Sequence, residues 1–163
     1  MAADDREEAD RVAMLRLARE LARPLSRDEP TAHFTASAFV VDERHERVCL
    51  VTHVKLGRLL QPGGHIEPSD ATLEAAALRE AREETALELQ FHPAAPRPFD
   101  LDIHEIPERP GEPRHFHLDV RYLLIGIGEP CAGAAWYVLG EAGDESVARL
   151  AAKAVRLGSP ARG

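Results

Sequence analysis

The sequence predicts an α/β domain with a single core, on three observations. Three segments carry apolar residues at helical spacing, and several others carry β-branched and aromatic residues at strand spacing. The length of 163 residues, 44% apolar and 29% charged, matches the size and balance of one globular domain. Residues 1–30 read as a helix with its connector, 31–158 as the main domain and 159–163 as a flexible tail.

Taken in order, Val12, Met14, Leu15, Leu17, Ala18, Leu21 and Ala22 recur at helical spacing between Glu8 and Arg23, and Pro24 stops the pattern. Ser26 to Thr31 is a polar connector. Phe34 to Val41 and Val48 to Thr52 are apolar runs split by Asp42 to Glu46, which predicts a hairpin. Lys55 to Pro68 reads as a Gly/Pro-rich loop, and Thr72 to Thr85, rich in Ala, Leu, Glu and Arg, as a helix. Phe99 to Ile106 nearly alternates and Phe116 to Leu124 alternates strictly, which predicts two antiparallel strands joined by the loop Pro107 to Arg114. A short strand around Trp136 to Leu139 leads to a last helix, Asp144 to Leu157, with Val147, Leu150, Ala151 and Ala154 on one stripe.

A net charge of −8 disfavours long nucleic acids, whose binding rests on neutralising many phosphates; a small phosphorylated ligand needs only a few local cations. The acidic start, Asp4 to Asp10, lacks the order of a signal peptide, and no run reaches the roughly 18 apolar residues that span a bilayer. The expectation is a cytoplasmic protein with no membrane partner, as a monomer or homodimer. Cys49 and Cys131 lack metal-ligand spacing, and Cys49 reads as a buried thiol.

The chemistry concentrates on the second predicted helix. Leu73, Ala76 and Ala77 begin an apolar stripe that continues as Glu80, Glu83 and Glu84 before Leu87 resumes it. At about 100° per residue these carboxylates share one arc and repel one another. A hard divalent cation relieves that repulsion, and magnesium, which takes oxygen ligands and keeps waters for a phosphate substrate, suits the set. Arg79 is placed to pair with Glu83 at i, i+4. Taken alone the stripe also reads as a solvated acidic face. Pro62-Gly63-Gly64 just upstream favours the metal, because paired glycines permit a sharp turn and a close approach of the main chain to a ligand.

Gly64-His65-Ile66-Glu67-Pro68-Ser69-Asp70, followed by Arg79-Glu80-Ala81-Arg82-Glu83-Glu84-Thr85-Ala86-Leu87, resembles the Nudix box, G-x5-E-x7-R-E-U-x-E-E-x-G-U with U aliphatic. The resemblance spans 24 residues, and the order of elements around it is similar to the Nudix fold, which implies an α/β/α sandwich with a mixed sheet and, here, an added N-terminal helix. Asp70 stands in place of Glu, with eight residues rather than seven before Arg79, and reads as the N-cap of the helix. Ala86 stands in place of Gly, and a left-handed backbone there would carry about 1 kcal/mol of strain. The resemblance implies magnesium, with manganese as its substitute, held by Glu80, Glu84, Glu83 and the Gly63 carbonyl, with Arg79 orienting the cluster. It implies hydrolysis of a diphosphate linkage in a nucleoside diphosphate derivative, with Glu80, Glu105 and Glu112 as candidate proton acceptors.

Lys55, Arg58, His65, His117 and Arg121 are the candidate substrate contacts. His115, His117, Asp119 and Arg121 share one strand face, which reads as the polar face of a half-covered sheet, a substrate wall, or a zinc pair awaiting a third ligand. Trp136 and Tyr137 read as core or as a base-stacking pair. Two rivals to the hydrolase are a Nudix-like module that senses a nucleotide without cleaving it and an isomerase of isopentenyl diphosphate, which would need a cysteine placed for proton transfer.

Overall fold

The computed structural model describes residues 5–157, so the expected tail lies outside the described residues. The chain folds as α1 (Asp5–Glu20), β1 (Ala32–Asp42), β2 (Arg47–His53), β3 (Arg58–Leu60), β4 (Gly63–His65), α2 (Leu73–Thr85), β5 (Glu88–Phe91), β6 (Asp100–Ile106), β7 (His115–Ile127), β8 (Ala134–Val138) and α3 (Glu145–Leu157). The predicted β1–β2 hairpin is present, with Val40 opposite Cys49 and Val41 opposite Val48. The predicted β6–β7 pair is antiparallel from Asp100↔Arg121 to Ile106↔His115.

The centre of the sheet is a parallel pairing of β1 with β7, in register from Ala32↔Phe116 to Asp42↔Gly126. Around it β2, β4, β5 and β6 add antiparallel strands, and β3 and β8 extend β2. The sheet is therefore mixed. Both its faces are covered, which is why β1 is buried along its whole length.

Alternation along β1 and β7 assigns the two faces. Phe39, Val41, Leu123 and Ile125 pack against Val147, Leu150, Ala151 and Ala154 of α3. On the other face Ala36, Leu118, Val120 and Tyr122 pack against Ala76 and Ala77 of α2 and Met14 of α1, and Ala38, Val40, Cys49 and Leu124 surround Ala81. The result is an α/β/α sandwich with an extra N-terminal helix. That helix is tied down by polar contacts: Arg6 reaches Asp102 at 2.8 Å, Asp10 accepts the Ile103 N–H at 3.2 Å, and Lys153 donates to both Glu7 oxygens at 2.8 Å. None of the helices, among the described residues, is long and apolar enough to cross a membrane.

Three local expectations are corrected. The stretch read as a loop, Lys55 to Pro68, contains β3 and β4, and β5 follows α2 unannounced. These strands are too short to show a period, and pairing with longer neighbours creates them. The N-cap of α2 is Thr72, whose hydroxyl accepts the Ala75 N–H at 3.0 Å, rather than Asp70. Both residue types cap helices, and here Arg79 claims the aspartate. At the other end Ala86 is left-handed, with φ 58°, and donates its N–H to the Arg82 carbonyl.

Candidate catalytic and metal site

Helix α2 lays its small face, Ala76, Ala77 and Ala81, flat against the sheet, and this brings the same stripe's carboxylates onto β4. Gly63 donates its N–H to Glu84 Oε2 at 3.0 Å. A Cβ on Gly64 would lie 2.6 to 2.8 Å from the Glu80 carboxylate, so that side chain rests on the bare glycine backbone. A Cβ on Gly63 would lie 2.7 Å from Ser37 Cα and 2.9 Å from the Ala36 carbonyl. Neither glycine is among the residues with positive φ. The pair therefore serves close approach rather than the sharp turn read from the sequence, one glycine against β1 and the other against Glu80.

Arg79 organises the cluster. Its Nε and Nη2 donate to the two Asp70 oxygens at 3.0 and 2.8 Å, its Nη1 donates to Glu80 at 2.9 Å and to Glu83 at 3.3 Å, and its Nη2 also reaches the His65 carbonyl at 3.0 Å. The expected Arg79–Glu83 pair exists, yet Asp70 is the principal partner. A planar guanidinium fork suits a two-oxygen carboxylate, whereas Glu83, at 59% side-chain exposure, is largely in water. The hydrogen bond from Arg79 holds the Asp70 carboxyl below its ordinary range. Burial pushes Glu80 up despite Arg79, and burial pushes Glu84 up against the single Gly63 N–H.

Two partly buried carboxylates with raised proton affinity and one exposed neighbour form an all-oxygen donor set whose negative charge the protein only partly offsets. A hard cation of the magnesium or manganese class fits such a set, with Glu80, Glu83 and Glu84 as the residues that would hold it.

The other expected site residues divide into groups. Lys55 is exposed in the β2–β3 turn, and Arg58 is engaged by Asp144 at 2.8 Å, beside the start of α3. Glu105 is exposed and faces Arg114 at 3.6 Å, while Glu112 lies 3.7 Å from His115. Arg121, at 2% exposure, is enclosed by Asp100, Asp102 and Asp119 at 3.3, 3.0 and 2.8 Å, so each nitrogen of its fork is engaged by the protein itself. His65 and His117 sit together on the sheet face opposite Glu80, in a group with His33 that sequence reading did not assemble. Trp136 packs beside the α2-side core and donates to the Gly128 carbonyl at 3.0 Å, and Tyr137 packs against the α3-side core, as the core reading expects.

The NUDIX domain profile matches residues 31–146. No curated protein matches the chain significantly. Among solved structures, a NUDIX-family hydrolase from Clostridium perfringens is similar at 26% identity and TM-score 0.61, covering 77% of this chain and 97% of that one. An Ap4A hydrolase from C. elegans shares the fold at 14% identity and TM-score 0.53, covering 76% and 95%. A MutT NUDIX hydrolase from Burkholderia pseudomallei does so at 17% identity and TM-score 0.51, covering 76% and 98%. With the profile spanning most of the chain and the Arg-Glu-x-x-Glu-Glu cluster folded onto the glycine strand, the chain belongs to the NUDIX family and is a Nudix hydrolase.

Proposed function

We propose that the chain is a magnesium-dependent pyrophosphohydrolase that cleaves a diphosphate linkage in a nucleoside diphosphate derivative. One observation carries the reading: Glu80 and Glu84 are drawn partly out of water onto Gly63 and Gly64 while burial raises their proton affinity. Such an arrangement is costly without a cation and complementary to one.

When bound, a divalent cation of this class neutralises phosphate charge and acidifies an attacking water. The chain's own residues do the positioning. Arg79 fixes the Glu80 carboxylate through Nη1 and ties α2 to β4 through the His65 carbonyl. The Gly63 N–H orients Glu84, and the Gly63 carbonyl would supply a further oxygen to the donor set. Of the candidate proton acceptors, Glu80 stands inside the cluster, held there by Arg79. Lys55 remains a proposed phosphate contact, whereas His65 turns its ring to the sheet face away from Glu80. Cys49 is fully buried and burial pushes its thiol up to about 12, which removes support from the isomerase rival.

The test is Glu84→Gln, assayed by phosphate release over nucleoside triphosphates, oxidised nucleotides, ADP-ribose, dinucleoside polyphosphates and nucleotide sugars. Turnover on the best substrate should be abolished and magnesium binding weakened with the fold intact. Unchanged turnover would remove the mechanism, and binding without turnover in the parent chain would favour the sensing module.

A further inference from the structure

Four histidines that the carboxylate cluster leaves unused gather on the opposite face of β1, β4 and β7. There His33, His65 and His117 each place a ring nitrogen within 4.8 Å of the others. Their ring centroids are 5.0 to 5.2 Å apart, and His115 joins at 5.0 Å from His33 and 5.1 Å from His117. Imidazoles around one tetrahedral ion, with nitrogens at roughly 2.0–2.1 Å, have centroids about 5.2 Å apart. The ring spacing of this group therefore matches that geometry, and rotation of the rings would bring nitrogens now within 4.8 Å of one another to the roughly 3.3 Å between ligands on one ion.

The tautomers favour the same conclusion. His33 Nδ1 lies 3.2 Å from the Glu29 carbonyl and His115 Nδ1 lies 2.8 Å from the Pro113 carbonyl, contacts that place the ring proton on Nδ1 and leave Nε2 as a bare lone pair. Carbonyl-anchored rings of this kind are how proteins aim histidine at a metal. His33 is 2% exposed, and its Nε2 is buried with no hydrogen-bond partner. An orphaned buried acceptor is normally avoided, so this one lacks a reason within the protein alone. His115 and His117 bring their Nε2 atoms to 3.2 Å, a hydrogen bond in which His117 donates to the bare His115 nitrogen and which a bound ion would replace. Glu112, 3.7 Å from His115, adds a carboxylate at the rim.

The geometry points to a second metal site, in which His33, His65 and His117, with His115 in reach as a fourth donor, bind one transition-metal ion of the zinc class. Nitrogen donors select zinc, cobalt or nickel over magnesium. The site is distinct from the carboxylate cluster and does not rest on the proposed hydrolysis, because β4 turns His65 to one sheet face and sets Gly64 under Glu80 on the other.

The test titrates the tag-free, chelator-treated chain with cobalt in excess magnesium. One equivalent should bind with the visible absorption of a nitrogen-ligated ion, and zinc should displace it. His65→Gln and His117→Gln should each weaken binding by more than the roughly 10–100-fold that loss of an outer partner costs. His53→Gln should not, and Glu80→Gln with Glu84→Gln should keep the band whatever becomes of hydrolysis. Absence of the band, its survival without His65 and His117, or its loss with the glutamates would overturn the site. Should the histidine variants not fold, the imidazole nitrogen resonances of the parent chain decide. Zinc must shift those of His33, His65 and His117 and spare His53, and any other pattern refutes the assignment.

Discussion

Adding one methyl group to each of two neighbouring glycines should separate the fold from the chemistry. In Gly64→Ala the new Cβ meets the Glu80 carboxylate at 2.6 Å, and to reach the 3.4 Å of ordinary contact the carboxylate must retreat by about 0.8 Å. The obstructed atoms end a flexible side chain, so escape costs roughly 0.5–1.5 kcal/mol of rotamer strain, partly offset by the stiffer unfolded chain. Melting temperature should therefore change little. Catalysis is less forgiving, since a displacement near 1 Å at a positioned group costs on the order of 10²-fold. In Gly63→Ala the Cβ instead meets the backbone of Ser37 and Ala36 in β1, which has nowhere to go. Overpacking of that kind costs about 1–3 kcal/mol and should lower the melting temperature by several degrees. Circular dichroism melts with kcat/KM on the best substrate measure both. A Gly64→Ala enzyme with parental kcat/KM and magnesium dependence would refute the placement of Glu80, and a melt as depressed as that of Gly63→Ala would refute the division of labour.

Three further outcomes are expected. Ala86→Gly, at φ 58°, should relieve left-handed strain and stabilise by about 1 kcal/mol, read as a melting temperature raised by roughly 2–4 °C. Arg121→Met leaves Asp100, Asp102 and Asp119 buried around an apolar side chain and should cost about 3–5 kcal/mol in urea unfolding; a change below 1 kcal/mol would show that the network is dispensable. The metal-free chain should lose stability as pH falls from about 6.5. Burial lowers His65 to about 4, so the unfolded chain takes up protons that the folded one refuses, and the loss continues down to that value. A flat urea midpoint across this window would contradict the burial of the histidines.

What the sequence made legible follows from the range over which each signal acts. The α2 stripe and the Arg79 cluster lie within one helix, where 3.6-residue spacing decides which side chains meet, and their convergence is readable from a line of letters. The hairpin and the β6–β7 pair are neighbours in the chain and were equally open to inspection. Asp70 illustrates the intermediate case, since two cap-forming residues stood in front of α2 and only the position of Arg79 decides between them. Arg121 and the histidine group were not legible in full. Alternation correctly put His115, His117, Asp119 and Arg121 on one face. What closes over them is Asp100 and Asp102 of β6 and His33 of β1, and no local pattern announces that β1 lies beside β7.

That parallel junction has a consequence for how the chain must come together. The first strand of the sheet finds its long central neighbour only after more than seventy intervening residues have been made, since Asp42 ends one strand and His115 begins the other. Until then β1, apolar along most of its length, has only β2, the short β4 and α2 to shield it, and closing so long a loop is slow relative to forming helices. Nascent chains stalled before residue 115 should expose that strand to chaperones or to one another, while those that extend past 127 can shut the barrier between nucleation and the finished sheet in one cooperative step.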